Sequence, residues 1–331
     1  MLCGLLRAGP RGALAAWLGF TSPSALIMAG VAVALGTAAR GTPPAWFPGL
    51  LDGLFAAAAG VVATAVWGLA RSLIDDAVTA GIAAVSAVVA LVLYAHPGFQ
   101  WVPIALGALT GAFALHGTVK AQGLPIEISR TASTVAAIVL AAFVALALVP
   151  HATPVVSLLA TLVRAGTLVF GGGHVILPFL QSLIREGLIG QREFFAGYGA
   201  AQAIPGPLNT FATFIGVLNR SALNGAAGGF VATIFIFAPS FALIFALAPV
   251  WNRIAEAPRA GGALRGANAS VVGLLAAVLI DPIALSLAGA WWRIALALAA
   301  FVALLRWKIA PWIVVVVSAL IGAGVGAVTA R

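Results

Sequence analysis

Two interruptions in an apolar chain hold the residue types that can capture an anion without forming a bond to it. The first is Val169-Phe170-Gly171-Gly172-Gly173-His174-Val175-Ile176-Leu177-Pro178. Three successive glycines weaken a helix, because each loses backbone entropy on folding and exposes its peptide groups. In exchange, Gly171, Gly172 and Gly173 permit positive φ and close approach, so their N–H groups can form a nest for a tetrahedral dianion. Close helix packing is the other use of such glycines. His174 can pair with an oxyanion or carry a proton, because its free pKa lies near neutrality. It can equally sit neutral, bonded to a backbone carbonyl. Arg164, six to seven residues earlier, presents a planar fork of donors suited to an oxyanion, or else snorkels to the nearer interface.

The second interruption is Ala203-Ile204-Pro205-Gly206-Pro207-Leu208-Asn209-Thr210. Pro205 and Pro207 remove two N–H donors, so with Gly206 they must break the helix. A new half-helix then starts near Pro207, since proline suits the first helical turn. That leaves the N–H groups of Leu208, Asn209 and Thr210 without intrahelical partners, and the side chains of Asn209 and Thr210 add donors. A simple kink is the alternative. Gln202 lies four residues after Tyr198, on one helical face, where both can line a path or bond between helices. Broken helices that aim free N–H groups and positive dipole ends at one point are a known way to bind anions inside a membrane.

The elements that must position these residues are membrane helices. The 331-residue chain is 63% hydrophobic and 8% charged, with a mean hydropathy of +1.13, too little charge for a soluble globular domain. The fold class is therefore all-α and polytopic, with about 11 membrane segments near 12–37, 48–70, 78–95, 100–117, 132–150, 155–184, 194–218, 223–250, 264–285, 290–305 and 309–329. The sixth and seventh contain the two breaks. The sixth is long enough to re-enter, and is counted here as one net crossing. With the N-terminus in the cytoplasm, Arg7, Arg11, Arg71, Lys120, Arg130, Arg185, Arg192, Arg253, Arg259, Arg265, Arg306 and Lys308 fall inside. Arg40, Arg220, Arg293 and Arg331 fall outside, and Arg164 lies within the membrane. That bias follows the positive-inside rule.

An internal repeat runs through the chain. Trp101-Val102 with Ala108-Leu109-Thr110-Gly111-Ala112 recurs 211 residues later as Trp312-Ile313 with Ala319-Leu320-Ile321-Gly322-Ala323. Gly53 and Gly60 recur 213 residues later as Gly266 and Gly273, and Pro23-Ser24 recurs 216 later as Pro239-Ser240. An odd number of crossings separates the equivalent spans, so the halves are expected to be inverted. The repeat divides the chain into 1–117, the later part of a first repeat, a cytoplasmic linker at 118–131, and a second repeat at 132–331. Residues 155–222, which hold both breaks, have no counterpart in the first repeat as given; their partner is expected upstream of Met1, either lost or never part of this reading frame.

Together these residues resemble the chromate ion transporter family. The matching motifs are Phe170-Gly171-Gly172-Gly173-His174 with Pro178, and Gly197-Tyr198-Gly199-Ala200-Ala201-Gln202-Ala203 running into Pro205-Gly206-Pro207. In the first half Ala16-Trp17-Leu18-Gly19-Phe20-Thr21 with Pro23-Ser24 also matches. Long members of that family look like two homologous halves, each opening with a Phe-Gly-Gly and a Pro-Gly-Pro motif. The first-half pair is absent here. The resemblance implies export of chromate, a sulfate-like oxyanion, from the cytoplasm across a bacterial inner membrane, and so chromate resistance. It leaves open a non-transporting remnant, a subunit that needs a partner half or a second copy, and a carrier of another oxyanion such as sulfate.

Other functions are not written in the residues. The formal charge of +9 is scattered singly between apolar runs, which suits interfacial anchors in a lipid bilayer and not nucleic-acid binding. No His/Cys/Asp/Glu cluster has metal-ligand spacing, no Walker-type loop is present, and the single Cys3 has no intrachain partner, so no cofactor and no enzymatic reaction are expected. The apolar run from Gly12 to Ala39 is too long for a signal-peptide core. Glu186 and Glu193, beside Arg185 and Arg192, read as solvated loop charges, and Asp75-Asp76 as a helix cap or loop pair.

Overall fold

The computed structural model describes residues 2–39, 42–93, 99–115, 128–149, 153–168, 173–250 and 257–329, which are helical with no strand among them. The helices are α1 (Leu2–Ala38), α2 (Trp46–Leu73), α3 (Ala77–Leu93), α4 (Trp101–Ala114), α5 (Arg130–Leu148), α6 (Pro154–Leu168), α7 (Ile176–Leu180), α8 (Ser182–Arg185), α9 (Gln191–Ala203), α10 (Phe211–Leu218), α11 (Gly225–Leu247), α12 (Pro258–Val278), α13 (Trp291–Arg306) and α14 (Pro311–Thr329). Single 3₁₀ turns at Gly173–Val175 and Leu208–Thr210 lead into α7 and α10. Among the described residues, six helical stretches are long and apolar enough to cross a membrane: Cys3–Ala38, Trp46–Leu73, Arg130–Leu148, Gly225–Leu247, Arg259–Leu287 and Pro311–Thr329. The chain is an all-α, multi-pass membrane protein, as its composition requires.

Local chemistry starts the helices where the pattern expects. Ser129 accepts from the Ala132 N–H to cap α5, and Thr153 accepts from the Val156 N–H at the start of α6. The Asp76 carboxylate accepts from the Thr79 N–H at 2.7 Å and caps α3, in keeping with the expected role of the Asp75-Asp76 pair. At α9 the Glu193 carboxylate folds back to accept from the Gly190 N–H at 3.0 Å. Backbone at Ala8 and Gly9 is non-helical, so the membrane part of α1 runs from about Pro10.

The repeat is visible as crossed packing. Helix α2 of the first half packs on α14 and α13 of the second, and α12 of the second packs on α4 and α3 of the first. The contacts correspond residue by residue. A side chain at Gly49 would run into the Gly322 carbonyl, and one at Gly262 into the Gly111 carbonyl. Gly53 sits against Ser318 and Gly266 against Gly107, while Gly60 meets Ala297 and Ala300 and Gly273 meets Ala83 and Ser86. Lipid is as apolar as leucine, so membrane helices associate by close backbone contact, and only small residues allow it. The equivalent helices α2 and α12 are antiparallel neighbours: Arg265 near the start of α12 pairs with Asp75 and Asp76 just past the end of α2. Equivalent elements running in opposite senses place the pseudo-two-fold axis in the membrane plane, as an inverted repeat requires.

The sixth and seventh segments each fold back on themselves as hairpins. Helix α6 packs against α7 and α8, and Thr161 Oγ1 lies 3.4 Å from Ser182 Oγ. A straight crossing would separate those residues by about 30 Å. Helices α9 and α10 form a second hairpin: the Arg220 N–H donates to the Leu188 carbonyl at 2.9 Å, and Arg220 pairs with Glu193 at 3.5 Å. The hairpin bases therefore share one face. This corrects the side assigned to Arg185 and Arg192, expected opposite Arg220 and Arg293. Arg192 and Arg293 both pair with Asp52, at 3.4 and 3.0 Å. The physical reason is the break itself: glycine and proline at mid-segment allow a reversal that hydropathy does not register. Removing two crossings keeps an odd number between α1 and α11, so the inversion stands, and the basic-residue bias weakens without reversing.

Candidate functional site

The two hairpins meet at their tips. The turn Gly173–Val175 contacts the turn Leu208–Thr210, and a Cβ at Gly173 would lie 2.8 Å from the Leu208 Cβ. Gly171 and Gly172 lie outside the described residues. His174 is half-buried, and its Nδ1 is hydrogen-bonded to the Tyr198 hydroxyl at 2.8 Å. Tyr198 is fully buried on α9, against Phe211. The partner of His174 is thus a side chain of the other hairpin and not a backbone carbonyl, and with Nδ1 engaged the nitrogen left to a ligand is Nε2. Sequence placed Tyr198 beside Gln202 on one face, but the bond across 24 residues is a tertiary fact.

Gln202 stands one turn nearer the tip than Tyr198. Its Nε2 is buried and has no hydrogen-bond partner among the described residues. A buried amide donor without an acceptor is costly, and a bound anion would satisfy it. Pro205 and Gly206 are exposed, and Pro207, Leu208 and Asn209 are half-buried, so this tip is open. Gly206 takes φ +145°, which favours glycine, and a side chain there would meet Ser24 Oγ and the Phe20 carbonyl of α1. Thr210 departs from expectation. Its hydroxyl and its N–H both donate to the Pro207 carbonyl, at 2.9 and 3.0 Å, so it closes the turn and offers no free donor. Asn209 sits in the same turn, half-buried.

Arg164 lies on the flank of the first hairpin. It is 4% exposed and donates from NH2 to Thr161 Oγ1 at 2.8 Å, beside Ser182 on the returning arm. Burial pushes the Glu186 carboxyl at the hairpin base above its usual range, while Arg164 and Arg185 pull it down. Glu186 itself is nonetheless solvent-exposed, as expected of a loop charge. The Arg164 guanidinium reaches back one turn along α6 toward the hairpin base and stays buried between the arms.

Sequence reasoning missed the part of the site on α1. Ser24 and Phe20 form the wall behind Gly206, and Thr21 Oγ1 and Trp17 Nε1 on the same helix are buried without a partner among the described residues. The signal was the recurrence of Pro23-Ser24 as Pro239-Ser240. Ser240 plays the matching part at the other hairpin, donating to the Gly166 carbonyl of α6 at 2.9 Å.

The protein-family model described as chromate transporter matches residues 1–112 and 156–323. The chain belongs to that family. Apart from the first two residues of α6, both hairpins fall inside the second matched region, and α5 falls between the two. A chromate transport protein of Pseudomonas aeruginosa is 32% identical over 159 residues, covering 45% of this chain and 37% of that protein. An uncharacterized transporter of Methanocaldococcus jannaschii is 31% identical over 126 residues, covering 37% and 30% respectively. A probable chromate transport protein of Synechococcus elongatus is 29% identical over 119 residues, 35% of this chain and 29% of that protein. The matched stretches thus span well under half the length of these relatives. No solved structure matches the chain.

Proposed function

We propose that the chain is a secondary transporter exporting chromate, or a closely similar tetrahedral oxyanion, across a bacterial inner membrane with its N-terminus in the cytoplasm. The observation that carries this reading is the meeting of two hairpin tips at Gly173 and Leu208, near the buried Gln202 donor that has no partner among the described residues. Half-helix N-termini, Gln202 Nε2, Asn209 and His174 Nε2 supply N–H donors with no carboxylate paired to them among the described residues, which favours an anion. Gly173, Pro205, Gly206 and Pro207 shape the backbone around it, Gly171 and Gly172 adjoin them in sequence outside the described residues, and Arg164 supplies positive charge from the hairpin flank. Export of a dianion from an inside-negative cell is favoured by about 4.6 kcal/mol per 100 mV. No bond is made or broken in this scheme, so no catalytic residue and no cofactor is assigned. Uptake of labelled chromate into inverted vesicles, competed with sulfate, tests it. Uptake at the rate of empty vesicles would overturn the transport reading, and equal competition would widen the substrate to both anions.

A second reading has its own observation. Between α1, α5 and α11 lies an apolar groove of about 690 Å³ whose lining includes Trp17, Phe237 and Phe241. Trp17 Nε1 is an unpartnered donor there among the described residues. A chain supplying a second hairpin pair would seat against it, and transport only in the presence of such a partner would favour this reading.

A further inference from the structure

We infer that Asp52 and Arg265 are the anchors of two ion-pair locks of opposite polarity, one on each membrane face, which open in alternation as the site changes access. The inference rests on the transport reading for its purpose, and on the internal repeat for its evidence. Asp52 precedes Gly53 and Arg265 precedes Gly266, so the two residues are equivalents under the 213-residue offset. Each sits on the helix that crosses to the other repeat. Asp52 on α2 pairs with Arg293 in the first turn of α13 at 3.0 Å. Arg265 on α12 pairs with Asp76 at 3.0 Å and with Asp75, immediately before α3. The same structural joint is closed twice, with acid and base exchanged.

Position and burial give the locks their roles. Asp52 and Asp75 lie at opposite ends of α2, about 35 Å apart at 1.5 Å per residue, which spans a bilayer core. The Asp52 side chain is 8% exposed and the Asp75 side chain 64% exposed. Judged by the carboxylate, one face thus holds a dry lock and the other a solvated one, the asymmetry of a carrier shut on one side. The dry lock also holds the second hairpin, because Arg192 in the first turn of α9 pairs with Asp52 at 3.4 Å. From Arg192, α9 runs unbroken past Tyr198 to Gln202, so a shift at the lock moves the tip. A cavity of about 270 Å³ lined by Asp52, Phe55, Gln191, Arg192, Ser286 and Arg293 leaves room for that shift. An entering dianion competes with Asp52 for two guanidinium groups, and on the other face with Asp75 and Asp76 for one. Substrate itself thereby loosens the lock it meets.

The test is the accessibility of the tip. Ala203→Cys in a Cys3→Ser background is labelled in membrane vesicles with an impermeant thiol reagent applied to one face at a time. Asp52→Asn should speed labelling several-fold from the hairpin-base face, and Asp75→Asn with Asp76→Asn should speed it from the opposite face. Arg192→Gln, at a half-exposed side chain, should act like Asp52→Asn and serves if that variant inserts poorly. A purely structural role would lower protein yield without opposite-handed changes in labelling. If both variants shift labelling toward the same face, or neither shifts it at normal membrane levels, the locks do not alternate. The readout needs no chromate, so expected labelling without export would sink the transport reading alone.

Discussion

The hydrogen bond between His174 and Tyr198 ties one hairpin tip to the fully buried arm of the other. Tyr198→Phe removes the partner of Nδ1 while keeping the ring packed on Phe211, and leaving a buried polar group unpaired costs about 1–3 kcal/mol. The expected outcome is a lower melting temperature and slower chromate flux, both measurable on purified protein in liposomes. Gly173→Val acts differently. Its Cβ would fall 2.8 Å from that of Leu208, so the tips must separate. Flux should be abolished with membrane insertion intact, and flux at the parent rate would show that the tips are only packed there. Outside the membrane, the bond from the Thr79 N–H holds the Asp76 carboxyl below its usual range, and Arg265 adds to the effect. A depressed folded pKa stabilises above the unfolded value and is lost as pH falls through the folded one. Asp76→Asn should therefore lower stability at neutral pH, with the difference from the parent fading only below the ordinary carboxylate range in a thermal-melt series.

Among the elements, the two hairpins depart furthest from a simple helix bundle. Their arms are held by small residues and hydroxyls: Gly197 faces the Phe214 ring, Gly166 faces the Ile236 carbonyl, and Thr161 lies near Ser182. Because both bases share a face, cysteines at Gly187 and at Arg220 should be labelled from the same side of the membrane, and one at Arg259 from the other. Labelling of Gly187 and Arg220 from opposite sides would mean that the seventh segment crosses. The crossings of α2 with α14 and of α12 with α4 depend on Gly49 and Gly262 in equivalent ways. Leucine at either should cost similar stability, since each would push apart the same kind of backbone contact.

For the whole molecule, the repeats are interlocked, each lending its last two helices to the other. Neither half can bury its glycine-lined faces alone. Residues 1–129 and 130–331 expressed as separate fragments should each be degraded, and when expressed together should co-purify as a stable pair. Recovery of a folded 130–331 fragment by itself, judged by a cooperative melt, would show the halves to be independent.

Sequence alone determined the class of this protein, its repeat and the location of its breaks, because each follows from local composition. Hydropathy fixes which stretches leave water, and glycine and proline fix where a helix cannot continue. Recurring Gly53 and Gly266 marked the crossing points, and Gly173–His174 and Pro205–Pro207 marked the tips. Tertiary structure decided what those breaks do. Whether a broken segment continues or reverses depends on what packs against its far arm, as Ser182 does on Thr161 and Leu188 on Arg220, and no local pattern encodes that. The partner of His174, the wall that Ser24 makes behind Gly206, and the sharing of Asp52 by Arg192 and Arg293 were likewise invisible. Each joins residues far apart in the chain, brought together by helices whose apolar composition says that they enter the membrane but not beside which neighbour.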